Sequence, residues 1–180
     1  MNSWKTLKSS YVYKTPFGNL RQDSCELPDG QIIEKYYVNE YADWVNAIVL
    51  TKEKKIVLVK QYRQAAQDFF LEIPAGKSEG NEAYEEAILR EVREETGYTT
   101  EQKPLLLGEF YVNPATQTNK VITYLIVDAY KAFEQKLDPT EFIGVHLFDL
   151  NEMETMIASG EINQLFTVSA YYMSKIFLTK

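Results

Sequence analysis

The segment from Gly76 to Tyr98, GKSEGNEAYEEAILREVREETGY, constrains this chain more than any other. Tyr84, Ile88 and Val92 recur every four residues with Leu89 beside them, the spacing of a helix with one core-facing side. A helix is expected from about Asn81 to Thr96, with Asn81 as its N-cap and Gly97 as the stop just past its end. On another surface Glu91, Glu94 and Glu95 stand at i, i+3 and i+4, where like charges repel by roughly 0.2–0.5 kcal/mol per pair. Two readings follow. The face is solvated, with Arg90 pairing to Glu86 or Glu94 and Arg93 to Glu94 or Thr96; or the carboxylates await a cation. An oxygen-only cluster suits Mg²⁺ or Mn²⁺, and Mg²⁺ commonly bridges carboxylates to substrate phosphates.

Around this helix the chain reads as strands. Before Trp44 it is rich in Tyr, Val and Ile and carries two turn signals, Thr15-Pro16-Phe17-Gly18-Asn19 and Leu27-Pro28-Asp29-Gly30. Residues near 20–26 and 31–38 should therefore pair as a hairpin within a small antiparallel segment. WVNAIVLT and IVLVKQYR, joined by the charged KEKK, read as two buried strands, followed by strands at 105–112, 120–130 and 141–149. The tail offers a helix opened by Asn151 with Glu154 three residues on, and another whose Leu165, Val168, Tyr172 and Ile176 share one stripe. Strands and helices mix without regular alternation, which favours a mixed sheet with helices on its faces over a doubly wound parallel one.

Bulk properties narrow the function. At 180 residues, the chain has room for one ordinary domain and a small appendage. We place the boundary at 43, giving an amino-terminal β segment, 1–43, and a main domain, 44–180. A net charge of −7 argues against gripping a phosphate backbone, so nucleic-acid binding is not expected. The longest apolar runs, such as Ala47 to Leu50, fall far short of the roughly 20 residues that span a bilayer, and no membrane partner is expected. The amino terminus lacks the apolar stretch of a secretion signal. Cys25 is the single cysteine and His146 the single histidine, so zinc ligand sets cannot be assembled and a cytoplasmic setting is the default. His146, between Val145 and Leu147, receives no role.

Read together, Gly76, Glu82, Arg90, Glu91, Val92, Glu94, Glu95, Gly97 and Tyr98 resemble the Nudix box, G-x5-E-x7-R-E-U-x-E-E-x-G-U, with U bulky and aliphatic. Tyr98 departs from the usual aliphatic residue at a position that concerns packing. The resemblance implies an α/β/α sandwich on a mixed sheet, preceded here by the small antiparallel segment. It implies hydrolysis of a nucleoside diphosphate linked to another moiety, with Mg²⁺ (or Mn²⁺) held by Glu91, Glu95, Glu94 and the carbonyl of Ala75. Arg90 is then expected to orient a box glutamate and Glu82 to hold the loop against the helix. Gly76 would allow a tight turn and Gly97 a helix stop.

Features outside the box resemble the ADP-ribose pyrophosphatase branch: LEIPAG from Leu71, QYR from Gln61, and a proline at the marker distance past the box, Pro114, which is also an ordinary loop residue. By this resemblance Arg63 grips a substrate phosphate with its planar fork, and Glu72 helps position substrate or water; otherwise Arg63 is an exposed strand-end charge. The catalytic base of the branch falls on Glu141, with Glu94 in reserve, or Glu141 is a solvated loop charge. Trp44 is a candidate for stacking on adenine or a core residue. Relatives with such an amino-terminal segment exchange it between two subunits, so a homodimer is expected. The rival readings are a hydrolase of nucleoside triphosphates or dinucleoside polyphosphates, and a non-catalytic nucleotide-sugar sensor, whose usual mark of eroded box glutamates is missing.

Overall fold

Both early turn signals close tight hairpins. In this computed structural model, which describes residues 2–178, the first strands are β1 Lys5–Thr15, β2 Gly18–Glu26 and β3 Ile32–Glu40, antiparallel in that order. Gly18 is required at the first turn: its φ is +145°, and a Cβ there would stand 2.5 Å from the Tyr41 ring. At the second turn Gly30 N–H donates to the Leu27 carbonyl at 3.0 Å and Asp29 Oδ1 accepts from Gln31 N–H at 3.1 Å. The chain divides into two compact units, one running to Asp43 and including Phe110–Val121, the other formed by Trp44–Glu109 and the chain from Ile122 onward. The outermost ends of the segments 1–43 and 44–180 lie outside the described residues.

In the first unit, the loop after Tyr111 docks on β3 by backbone pairing. Asn39 N–H donates to the Thr116 carbonyl at 2.8 Å and Thr118 N–H to the Asn39 carbonyl at 3.1 Å, while the Tyr36 hydroxyl donates to the Ala115 carbonyl. A buried carboxylate centres the sheet: Asp23, 4% exposed, accepts from Ser9 Oγ at 2.6 Å and from Arg21 Nε at 3.0 Å. Arg21 also pairs with Glu40. β1 is exposed along its whole length and presents Leu7, Tyr11, Val12 and Tyr13 to solvent.

The second unit is built on strands β4 Trp44–Thr51, β5 Lys55–Arg63, β6 Asp68–Glu72, β7 Ala75–Lys77, β8 Tyr98–Thr99, β9 Leu105–Tyr111, β10 Lys120–Lys131 and β11 Gly144–Asp149. The sheet runs β11-β5-β4-β10-β8, with β6 on β5, β7 on β4 and β9 on β10. The tip of the β9–β10 hairpin counts with the first unit. Side chains alternate across a strand, and the apolar runs divide accordingly. Ile48, Leu50, Ile56 and Leu58 pack with Met153, Met156, Ala170 and Tyr171 of the helices α2 Met153–Ala158 and α3 Leu165–Leu178. Val45, Ala47, Val49 and Val57 pack on the other face with Ala87, Ile88 and Val92 of α1 Tyr84–Thr96. This is the α/β/α sandwich expected from the sequence.

Four local expectations are corrected. α1 starts at Tyr84 with Ala83 as N-cap, not with Asn81, because Glu82 is drawn out of helical register to accept from Glu79 N–H at 3.2 Å and to meet Arg90. Before α2, a 3₁₀ turn at Leu150–Glu152 is opened by Asp149, whose N–H donates to Glu152 at 2.8 Å, so Asn151 is no cap. The strand expected from Glu141 begins at Gly144. On α3 the inward side is Thr167, Ala170, Tyr171 and Ser174, while Leu165, Tyr172 and Ile176 are exposed. Small and hydroxyl side chains face the sheet because Thr167 Oγ1 accepts from the buried Ile73 N–H at 3.1 Å.

Burial pushes the Asp23 carboxyl up, yet the Ser9 hydroxyl and Arg21 guanidinium hold it below its ordinary value. A depressed folded value stabilises the fold above the unfolded carboxyl range and loses that contribution as pH falls through it. Asp23→Asn is expected to cost about 1–3 kcal/mol at neutral pH, read as reduced amide-exchange protection in β1 and β2. The gap to wild type should close below about pH 4; a gap independent of pH would refute the ion-pair account.

Candidate active site

Arg90 is the hub. It leaves α1 where its guanidinium reaches three carboxylates and a carbonyl: Nε donates to Glu82 Oε1 at 3.1 Å and Nη2 to Glu82 Oε2 at 3.0 Å. Nη2 also donates to the Lys77 carbonyl at 2.8 Å, and Nη1 to Glu91 at 3.0 Å and Glu94 at 3.1 Å. The planar fork thus ties the loop before the helix to the helix. The hydrogen bond from Arg90 draws the Glu82 carboxyl below its ordinary value, and Glu82 with the helix carboxylates raises the Arg90 guanidinium. Of the partners suggested by sequence, Glu94 is found and Glu86 is not; Arg93 lies over the Phe133 ring, 5.8 Å from its centroid.

Gly76 is needed for close approach rather than for a turn. A Cβ there would stand 2.0 Å from the carboxyl carbon of Glu91, so that carboxylate packs directly on the Gly76 backbone. Burial pushes the Glu91 carboxyl up against the pull of Arg90. One turn on, Glu95 is 5% exposed and accepts from Ala75 N–H at 3.1 Å. Burial pushes its carboxyl up to about 8; the Ala75 amide opposes this, and the Glu91 and Glu141 carboxylates add to it.

Beside these carboxylates the strand alternation of β5 puts Gln61 and Arg63 on one face, above Glu72 of β6. Glu72 is 4% exposed and accepts from Arg63 Nε at 3.0 Å, from Arg63 Nη2, and from Gln61 Nε2 at 3.3 Å. The Arg63 guanidinium is raised by the Glu72 hydrogen bond, with Glu95 and Glu141 contributing, so all three carboxylates lie within electrostatic reach of Arg63. Glu141 sits in an exposed turn: its N–H donates to the Asp138 carbonyl at 2.9 Å and its Oε2 accepts from Asp138 N–H at 3.0 Å. Trp44, half-buried at the start of β4, meets Phe166 edge-on at 5.7 Å. Pro114 belongs to the first unit, in the turn closed by Thr116 N–H on the Asn113 carbonyl at 3.0 Å. The sequence reading gave no role to Gln61, although its two-residue spacing from Arg63 is the signal for a shared strand face.

The donors near Glu91 and Glu95 are all oxygen, which suits a hard divalent cation. Burial raises the carboxyls of Glu91 and Glu95, Glu94 adds to the cost at Glu91, and Glu91 and Glu141 add to it at Glu95: the site is short of positive charge. The donor set therefore fits such an ion. Among the described residues, no group of three or more His, Cys, Asp or Glu is already gathered as a cation cage, because Glu82, Glu91 and Glu94 point oxygens at Arg90 while Glu95 points one at Ala75 N–H.

Residues 41–166 match the NUDIX domain family, and residues 4–39 match the nucleoside diphosphate sugar hydrolase N-terminal domain. The chain is 31% identical to an ADP-ribose pyrophosphatase of Bacillus subtilis (strain 168), over 88% of this chain and 85% of that one. It is 34% identical to a methanol dehydrogenase activator of Bacillus methanolicus, over 92% and 89%. The crystal structure of an ADP compounds hydrolase superposes with a TM-score of 0.87 over 99% of this chain and 96% of that one; at 18% identity this is a likeness of fold.

Arg90→Lys keeps a charge but loses the fork, leaving Glu82, Glu91 and Glu94 short of hydrogen bonds. A loss of about 2–4 kcal/mol is expected in urea unfolding. An unchanged midpoint would show that the hub is decorative.

Proposed function

Because the chain belongs to the NUDIX domain family, we propose that it is a Mg²⁺-dependent pyrophosphohydrolase of ADP-ribose or a closely related nucleoside diphosphate sugar. The observation that carries the reading is the carboxylate pair of half-buried Glu91, packed on Gly76, and buried Glu95, bonded to Ala75 and within electrostatic reach of Arg63. The similarity to an ADP-ribose pyrophosphatase along most of both chains supports the substrate class.

Each group has a task in this reading. Glu91, Glu94, Glu95 and the Ala75 carbonyl hold the cation, with Mn²⁺ as the alternative ion. A divalent cation bound there supplies charge neutralisation and Lewis acidity at the pyrophosphate. Arg63, aligned by Glu72, binds the phosphates through its fork. Trp44 stacks on the base, and Pro114 shapes a loop that discriminates the sugar. Arg90 keeps Glu91 and Glu94 in register. Glu141 takes the proton of the attacking water, and Glu94 is the alternative base. Water attacks phosphorus in line, the bridging P–O bond breaks, and ADP-ribose with one water gives AMP and ribose 5-phosphate.

The proposal includes a homodimer in which 1–43 is exchanged between subunits and 44–180 carries the chemistry, in a cytoplasmic setting. The exposed face of β1, with Leu7, Tyr11 and Tyr13, supports a covering partner.

The test is product release with Mg²⁺ across ADP-ribose, ADP-glucose, GDP-mannose, a dinucleoside polyphosphate and 8-oxo-dGTP. ADP-ribose is expected to be preferred, with activity lost in EDTA and at least about 100-fold lower in Glu95→Gln. Preference for a triphosphate or dinucleoside polyphosphate would overturn the substrate; binding of ADP-ribose without cleavage would overturn the enzyme reading. Light scattering at micromolar concentration is expected to give the dimer mass, and a monomer mass refutes the exchange.

A further inference from the structure

We propose that Gln135 is a positioning residue that fixes the Glu141 loop to the helix carrying the acidic site. The inference rests on the reading above, in which Glu141 handles the proton and Glu95 sits at the cation.

An α-helix ends with carbonyls that have no partner within it. At the end of α1 these are met by the chain that follows β10. Lys136 N–H donates to the Glu94 carbonyl at 2.9 Å, and Ala132 and Phe133 N–H both donate to the Gly97 carbonyl at 3.0 Å. A side chain joins this set: Gln135 Nε2 donates to the Glu95 carbonyl at 2.6 Å. The same nitrogen also donates to the Ile143 carbonyl at 3.1 Å.

Those two acceptors lie at opposite ends of the problem. Glu95 is the buried carboxylate residue of α1, and Ile143, 8% exposed, is the residue just before β11. Between Lys136 and Ile143 runs the short loop that carries Glu141, held internally by its reciprocal bonds with Asp138. The loop is thus pinned at its near end by Lys136 N–H and at its far end through Gln135. Without the second anchor, the loop would keep its tie to the helix only at its near end, and its far end beside Glu141 would be referenced to the sheet through β11 alone.

The residue type matters. Two carbonyls demand two N–H bonds from one centre, which a primary amide supplies and a carboxylate or thioether cannot. Gln135→Met keeps length and approximate shape while removing both donors, and Gln135→Glu places an acceptor against two acceptors. A displacement of about 1 Å at a reacting group is enough to cost on the order of 100-fold in rate.

The experiment is a double-mutant cycle with hydrogen exchange. Gln135→Met is expected to lower kcat on ADP-ribose by about 10- to 100-fold with KM changed less than about twofold. In a Glu141→Gln background it should lower kcat by less than about twofold, since the group it positions is already disabled. Amide exchange should rise in 137–143 while the middle of α1 keeps its protection. Equal losses in both backgrounds, or unchanged exchange in 137–143, would overturn the positioning role and leave the hydrolase reading intact. A Glu141→Gln enzyme of full activity would instead sink the assignment of the base, and with it the catalytic part of this inference; loosening of α1 itself would reduce Gln135 to a helix cap.

Discussion

The site depends on one guanidinium. Arg90 spends its donors on Glu82, Glu91, Glu94 and the Lys77 carbonyl, so a loop without regular structure becomes a fixed continuation of α1. Without such a counter-charge, three acids in one place would repel and the loop would swing into water. With it, Glu91 can be pressed onto the bare backbone of Gly76 and Glu95 buried against Ala75. The geometric cost is thus met in folding, and the electrostatic deficit that remains is what the proposed cation would resolve.

A second ion pair sets the neighbouring wall. Glu72 is nearly enclosed, and a lone carboxylate there would be costly; Arg63 and Gln61 answer it from the adjacent strand. The guanidinium is therefore held in one orientation by folding, with its fork already engaged by Glu72. In the proposed reading, an incoming phosphate would have to share that fork.

Much of this was legible in the sequence, for reasons tied to particular residues. Period-four apolar spacing fixed the inward face of α1, and strand alternation divided Ile48 and Leu50 from Val45 and Ala47. Local chemistry was harder. Glu82 and Glu86 both have the right charge for Arg90; which one is used depends on where the helix begins, and that was decided by Glu82 leaving it. The role of Gly76 depends on a carboxylate 15 positions away pressing on it, which no local rule reports. On α3 only Val168 of the expected stripe packs on the core, while Leu165, Tyr172 and Ile176 face outward, because a buried backbone N–H at Ile73 needed Thr167 more than the core needed Leu165. Gln135 stands in an unremarkable stretch and gains its meaning from two carbonyls far apart in the chain.

Gly97, with φ of +74°, ends α1, and a Cβ there would stand 2.1 Å from the Phe133 carbonyl oxygen. The segment after β10 is therefore seated by main chain on main chain: three of its amides meet helix-end carbonyls, and the helix-end glycine clears the space. Contacts of this kind are indifferent to side-chain identity. Apart from Gln135, the residues of this seat can be exchanged for others that keep a backbone N–H without removing these bonds. The glycine at the end of the acidic helix and Gln135 are then the residues through which the sequence registers a join otherwise made of main chain.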